Sequence, residues 1–172
     1  DNMPLLKKII DSGSTLIDYE KITDENGRRL IYFGPYAGDA GAIDILSLMG
    51  EHWAHRGIDT PFAAVKRAHQ YDSVKAAREH LTEVGRQIQR RGLTAQLCPF
   101  TVGILGYGKV SGGAQQILDC LPTERIAADE INAFVGQGRG NRRTVYVTVF
   151  KEQDLVKPVA AGASFNLQEY FD

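Results

Sequence analysis

Residues 103–114 read GILGYGKVSGGA, and two incompatible readings fit this stretch. One is the phosphate-cradling P-loop of a nucleoside triphosphatase; the other is the first turn of a dinucleotide-binding βαβ unit. The P-loop spacing G-x-x-x-x-G-K-[ST] is followed through Gly103, Gly108 and Lys109 and then fails, because Val110 has no hydroxyl to ligate Mg²⁺. Gly103 also falls inside the apolar run FTVGILG, where a strand is expected rather than a loop. No later strand ends in a carboxylate, since TVYVTVF is followed by Lys151. The dinucleotide template fits better. Gly106-x-Gly108-x-x-Ser111 follows a strand pattern and opens a helical one, so Gly106 can make the tight turn and Gly108 can admit a pyrophosphate to the helix N-terminus. Ser111 holds the third position and is small enough for helix–strand packing. An acid for the adenosine ribose is expected about 20 residues further on. Asp129 and Glu130 lie in that region, but Ala127 and Ala128 stand where the strand ends, so NAD and NADP both stay open. A glycine-rich turn that binds nothing satisfies the same pattern.

Outward from this turn, KVSGGAQQILDCL is predicted as a helix, ERIAA as a short strand, DEINAF as a helical turn and TVYVTVF as an alternating strand. Strand, glycine turn, helix and strand in that order indicate a Rossmann-like parallel α/β sheet. Upstream, MPLLKKII has helical spacing. STLIDYEKI and RRLIYFG read as the arms of a hairpin around TDENG, with Asn26-Gly27 at the turn. PYAGDAGAIDILSLMGEHWAHRG, PFAAVKRAHQ and SVKAAREHLTEVGRQIQRRG are predicted as helices, the second opened by Thr60-Pro61 and the third by Ser73. The boundary is placed near residue 98, so that 1–97 is the rear of a substrate-binding α/β domain with interdomain helices and 98–172 the start of the dinucleotide-binding domain. With Asp at position 1 and an incomplete sheet at the other end, the chain reads as truncated at both ends.

Composition narrows the function classes. The 172 residues are 43% hydrophobic and 24% charged, with a formal net charge of -1, which suits a globular protein and offers no basic excess for a phosphate backbone. RQIQRR (86–91) reads as a solvated helix face and GRGNRR (138–143) as a basic loop, so no nucleic-acid partner is expected. No apolar run reaches the ~20 residues of a membrane span, and a cytoplasmic location is expected, or the mitochondrial matrix in a eukaryote. Cys98 and Cys120 are too few and too far apart for a disulfide framework and read as core thiols. His52 and His55, three apart with Glu51 beside them, lack a third ligand at a recognisable spacing, so no metal site is expected.

Taken together, NMPLL, LIDYEKITDENGRRLIYFGPYAGDAGAIDIL, TPF, AHQY, GYGKVSGGAQQIL, LPTERI, RRTVYVTVF and FNLQEYFD resemble the lysine-ketoglutarate reductase part of the bifunctional lysine-ketoglutarate reductase/saccharopine dehydrogenases, the aminoadipic semialdehyde synthase family. That reductase part is in turn similar to the alanine dehydrogenase/transhydrogenase family. The resemblance implies two α/β domains around a cleft. It also implies a reaction, in which lysine condenses with 2-oxoglutarate and NADPH reduces the imine to saccharopine, with NAD as the other possible cofactor. On the same ground, Gly106, Gly108, Lys109, Val110 and Ser111 belong to the phosphate loop, while spacing alone makes Asp129 the candidate ribose acid. Arg28, Arg29 and Phe33 face the substrate, where a guanidinium suits a carboxylate. The proton-transferring Lys and His of the family lie upstream of NMPLL, so no catalytic acid or base is expected among these residues and the fragment alone is expected to be inactive. Partners are then small molecules, with a homo-oligomer possible. The other function class is a non-catalytic dinucleotide-binding or regulatory module built on the same turn.

Overall fold

The computed structural model describes residues 2–160 and 162–171, in two compact units, Asp1–Phe33 and Gly34–Asp172. In the first, α1 (Met3–Asp11) runs to a C-cap at Ser12. The predicted hairpin does not form two strands: Tyr19–Lys21 is a single 3-10 turn and one antiparallel bridge joins Thr23 to Arg29. Aspartates shape this stretch. Asp18 accepts from the Glu20 amide at 2.9 Å, and Asp24 Oδ1 accepts from the amides of Asn26 (2.9 Å) and Arg28 (2.8 Å). Gly27 supplies the positive φ of 75° that the turn needs. No described residue of 2–33 is buried, and a two-stranded hairpin with neither face covered is marginal in water.

The second unit is a parallel sheet with its helices. The elements are α2 (Gly34–His55), α3 (Val74–Arg91), β1 (Phe100–Leu105), α4 (Lys109–Leu118), β2 (Thr123–Arg125), α5 (Ile131–Gly136), β3 (Val145–Phe150), α6 (Glu152–Leu155) and α7 (Leu167–Phe171). The helix expected over PFAAVKRAHQ is instead two 3-10 turns, Pro61–Ala64 and Ala68–Gln70. Tertiary anchors break it. Phe62 is fully buried between Trp53 and Phe100, its backbone lies directly on Gly50 of α2, and the Ala68 amide donates to Asp44 at 2.6 Å. α3 begins where expected, with Ser73 Oγ accepting from the Ala76 amide at 3.1 Å, and buries Ala77, Leu81, Val84 and Ile88 along one face.

Strand order is β1-β3-β2, all parallel, with Phe100 opposite Val145 and Leu105 opposite Phe150. β3 is therefore central, and Val145 to Thr148 are all buried. The alternation expected of TVYVTVF is absent because both faces of a central parallel strand are covered: Val145 and Val147 join the main core, while the Tyr146 ring meets Phe134 of α5 at 4.5 Å. Thr148 Oγ1 is buried there without a hydrogen-bond partner. Among the described residues no helix is long and apolar enough to cross a membrane.

α2 and α4 touch through glycine. A Cβ on Gly38 would fall onto the Val110 carbonyl oxygen, and one on Gly113 onto that of Pro35. The contact is therefore backbone against backbone. Beside it, the buried Asp39 of α2 pairs with Arg78 of α3 at 3.3 Å, and the same guanidinium donates to Gln116 of α4 at 2.8 Å.

Candidate functional site: the glycine turn at the C-terminal edge of the sheet

β1 delivers the chain to the carboxyl edge of a parallel sheet, where open α/β folds bind their ligands. Gly106 turns the chain there with φ of 95°, and its amide donates to the Phe150 carbonyl at the end of β3, at 2.9 Å. Gly108 is the N-cap of α4, with no side-chain cap, and its carbonyl accepts from the Gly112 amide at 2.9 Å. Two facts bear on a ligand. Gly108 has φ of -78°, which any residue adopts, and a Cβ placed on it meets nothing within 4 Å. The fold itself does not require glycine at 108. A group approaching the backbone from outside would require it.

The aligned peptide dipoles at the start of α4 favour an anion there. Lys109 and Val110 are exposed beside Tyr107 and Leu105, so charge and apolar surface lie together around the turn. Ser111 is buried, and its Oγ accepts from Gln115 Nε2 at 3.0 Å. Its side chain lies against its own helix. The structure thus brings Gly106, Gly108, Lys109, Val110 and Ser111 together at one edge. Gly103, the first glycine of the rejected P-loop pattern, lies within β1, and the Phe150 ring lies 3.1 Å from where its Cβ would be. Its small size serves strand packing.

Asp129 stands elsewhere. It is exposed, four residues past β2, and β3 separates β2 from β1, a distance of two strand spacings or about 10 Å. Two other basic groups that could meet an adenosine phosphate, Arg125 and the GRGNRR loop, also lie away from the turn. Arg125 is bound to Asp119 and to Gln115 at 3.2 Å. The GRGNRR loop precedes β3 and is tied to Leu93 by Arg142, at the opposite edge of the sheet. The position next to the turn belongs to Lys151, directly after β3, whose Nζ lies 5.8 Å from the centroid of the Tyr107 ring. Sequence reasoning passed over Tyr107 and Lys151 because nothing in a linear pattern says which strand will lie beside β1.

The remaining expected site residues lie in the first unit. Arg29 pairs with Glu20 at 3.0 Å, both half exposed; Arg28 is exposed, with its amide on Asp24; the Phe33 ring meets Tyr19 edge-on at 6.1 Å. On the helices, His52 is exposed, His55 Nδ1 lies 2.8 Å from the Glu51 carbonyl and His80 Nδ1 lies 2.8 Å from the Tyr71 hydroxyl. Burial pushes the thiols of Cys98 and Cys120 above the usual range, as suits core cysteines.

No family model matches the chain. It is 33% identical, over 99% of its length, to an alpha-aminoadipic semialdehyde synthase of Arabidopsis thaliana, covering 17% of that protein. To the mitochondrial alpha-aminoadipic semialdehyde synthase of Bos taurus it is 38% identical over 86% of its length, covering 16%. It is also 30% identical, over 71% of its length, to an NAD⁺-dependent, L-lysine-forming saccharopine dehydrogenase of Candida glabrata, covering 32%. The chain therefore spans about a sixth of the length of the semialdehyde synthases it matches.

Proposed function

We propose, from the premise that this chain is homologous to a segment of the alpha-aminoadipic semialdehyde synthases, that it is the cofactor-turn segment of a lysine-ketoglutarate reductase. Such an enzyme condenses the ε-amine of lysine with 2-oxoglutarate and reduces the imine to saccharopine. The observation that carries the reading is Gly108, a glycine with ordinary dihedrals and open space around it, at the N-cap of a ten-residue helix on the carboxyl edge of a parallel sheet. These residues fit a dinucleotide, and the bound cofactor, NADPH in this reading, supplies the hydride.

What the segment contributes is binding and orientation. The amides of Lys109, Val110 and Ser111 at the start of α4 hold the pyrophosphate, Gly106 sets the turn that aims them, and Gly108 keeps the approach clear. Leu105 and Val110, exposed at the rim, offer apolar cover. Arg28, Arg29 and Phe33 face the substrate, the arginines serving its carboxylates. A carboxylate reaching Arg29 competes with Glu20, which makes its capture an exchange of one anion for another. No acid or base of the proton transfers is assigned to this segment, which by itself turns over no substrate. In a eukaryote the enzyme works in the mitochondrial matrix, and its partners are small molecules.

Titration of the full-length protein with NADPH and with Mg-ATP tests the reading. Gly108→Val is expected to abolish NADPH binding while the far-ultraviolet circular dichroism stays unchanged, because a Cβ at 108 meets no protein atom within 4 Å. Retained NADPH affinity in that variant, or tight Mg-ATP binding in the parent, would overturn it.

A further inference from the structure

The strand order has a consequence for cofactor choice. In a dinucleotide-binding sheet, the end of the strand beside the glycine turn meets the adenosine ribose: an acid there takes the 2′-hydroxyl, and a cation nearby accommodates a 2′-phosphate. The β1–α4 crossover carries the chain toward β2, yet the strand paired with β1 on that side is β3. Phe150 is opposite Leu105 and accepts from the Gly106 amide. The next residue, Lys151, therefore starts about one strand spacing, roughly 5 Å, from the turn.

Lys151 is held ready for an anion. Its amide donates to Asp154 Oδ2 at 2.8 Å, which fixes the backbone at the end of β3. Its ammonium lies over the Tyr107 ring, 5.8 Å from the centroid, an electrostatic rest that leaves the N–H donors available. Among the described residues no carboxylate forms an ion pair with it. Glu152, half-buried at the start of α6, is the acid that would favour the unphosphorylated ribose.

We infer that Lys151, steadied by Tyr107, determines preference for NADPH over NADH by binding the 2′-phosphate of the adenosine ribose. The inference rests on the dinucleotide reading of the turn. Its test is a set of dissociation constants for NADPH and NADH, measured by titration on the full-length protein and its Lys151→Ala and Lys151→Arg variants. The parent is expected to favour NADPH. Lys151→Ala should weaken NADPH by about tenfold to a hundredfold, as for loss of a charge-assisted hydrogen bond, and leave NADH within twofold. Lys151→Arg should restore most of the preference, and added salt should erode it. An unchanged NADPH-to-NADH ratio in Lys151→Ala, with both cofactors still bound, overturns the role of Lys151 while the dinucleotide reading stands. A parent that binds neither cofactor overturns that reading and the inference with it.

Discussion

Residues 2–33 and the unit from Gly34 onward are built on different terms. The first stretch buries none of its described residues, and Met3, Leu6 and Ile10 of α1 stay exposed. Its shape comes from short-range hydrogen bonds: Ser12 Oγ to the Ile9 carbonyl, and the carboxylates of Asp18 and Asp24 to amides two to four residues on. The second unit has a continuous core running from Leu46 and Phe62 through Leu81 and Ile88 to Val145 and Val147. Local bonds choose a turn, but only burial fixes an element against the conformational entropy of the chain. The difference is visible at the proposed sites. The proposed cofactor turn is held on packed elements, whereas Arg28 and Arg29 lie in a stretch with no buried described residue.

The contrast makes measurable claims, and the largest concerns the glycine contact. Gly113→Val in the 172-residue protein drives a side chain into the Pro35 carbonyl. Thermal or urea unfolding should show a loss at or above the upper end of the ~1–3 kcal/mol typical of overpacking. Arg78→Ala comes next, because it leaves Asp39 buried and unpaired; Arg78 itself is partly exposed, and the same unfolding measurement should register about 2 kcal/mol. Thr148→Val should run the other way. It replaces a buried hydroxyl that has no partner with a methyl of similar shape, and a gain of up to about 1 kcal/mol is expected. A loss there would show the hydroxyl to be satisfied after all.

The cysteines give a pH dependence with a definite sign. Both thiols are raised by desolvation above the ordinary value of 9.0, so the folded state favours the protonated form. The associated stability is present below pH 9 and is lost as pH climbs through the folded values. Alkylation by iodoacetamide at pH 8 should accordingly be slower than that of a free thiol. The smallest effects belong to the first stretch. Ile10→Ser and Glu20→Ala should each change stability by less than about 0.5 kcal/mol. A cost of 2 kcal/mol in either would dissolve the contrast between the two regions.

The sequence was most legible where one pattern answered one physical demand. Ala77, Leu81, Val84 and Ile88 predict α3 because a single face has to be buried, and Ser73 marks its start. FTVGILG, the glycine turn and KVSGGAQQIL become β1, the turn and α4 at nearly the expected boundaries. Legibility ends where a distant residue decides. Asp44 and Gly50 break the helix expected over PFAAVKRAHQ, and Asp24 organises a turn that Asn26-Gly27 was expected to dominate. The sheet order is the sharpest case. Period-2 alternation reports half-burial, so the alternating pattern of TVYVTVF gives no sign that it becomes the central strand, and Lys151 gains its place at the turn through that position.

The backbone contact between α2 and α4 also constrains motion. Packed helices usually shift against each other because side chains change rotamer and absorb the displacement. Where Gly38 meets the Val110 carbonyl and Gly113 meets that of Pro35, no side-chain layer exists to absorb anything. The opening end of α4, with the turn that precedes it, is thereby coupled to the N-terminal turns of α2. A force on one displaces both together. Amide hydrogen exchange of these two helices should accordingly report one cooperative opening, with no separate opening of the turn.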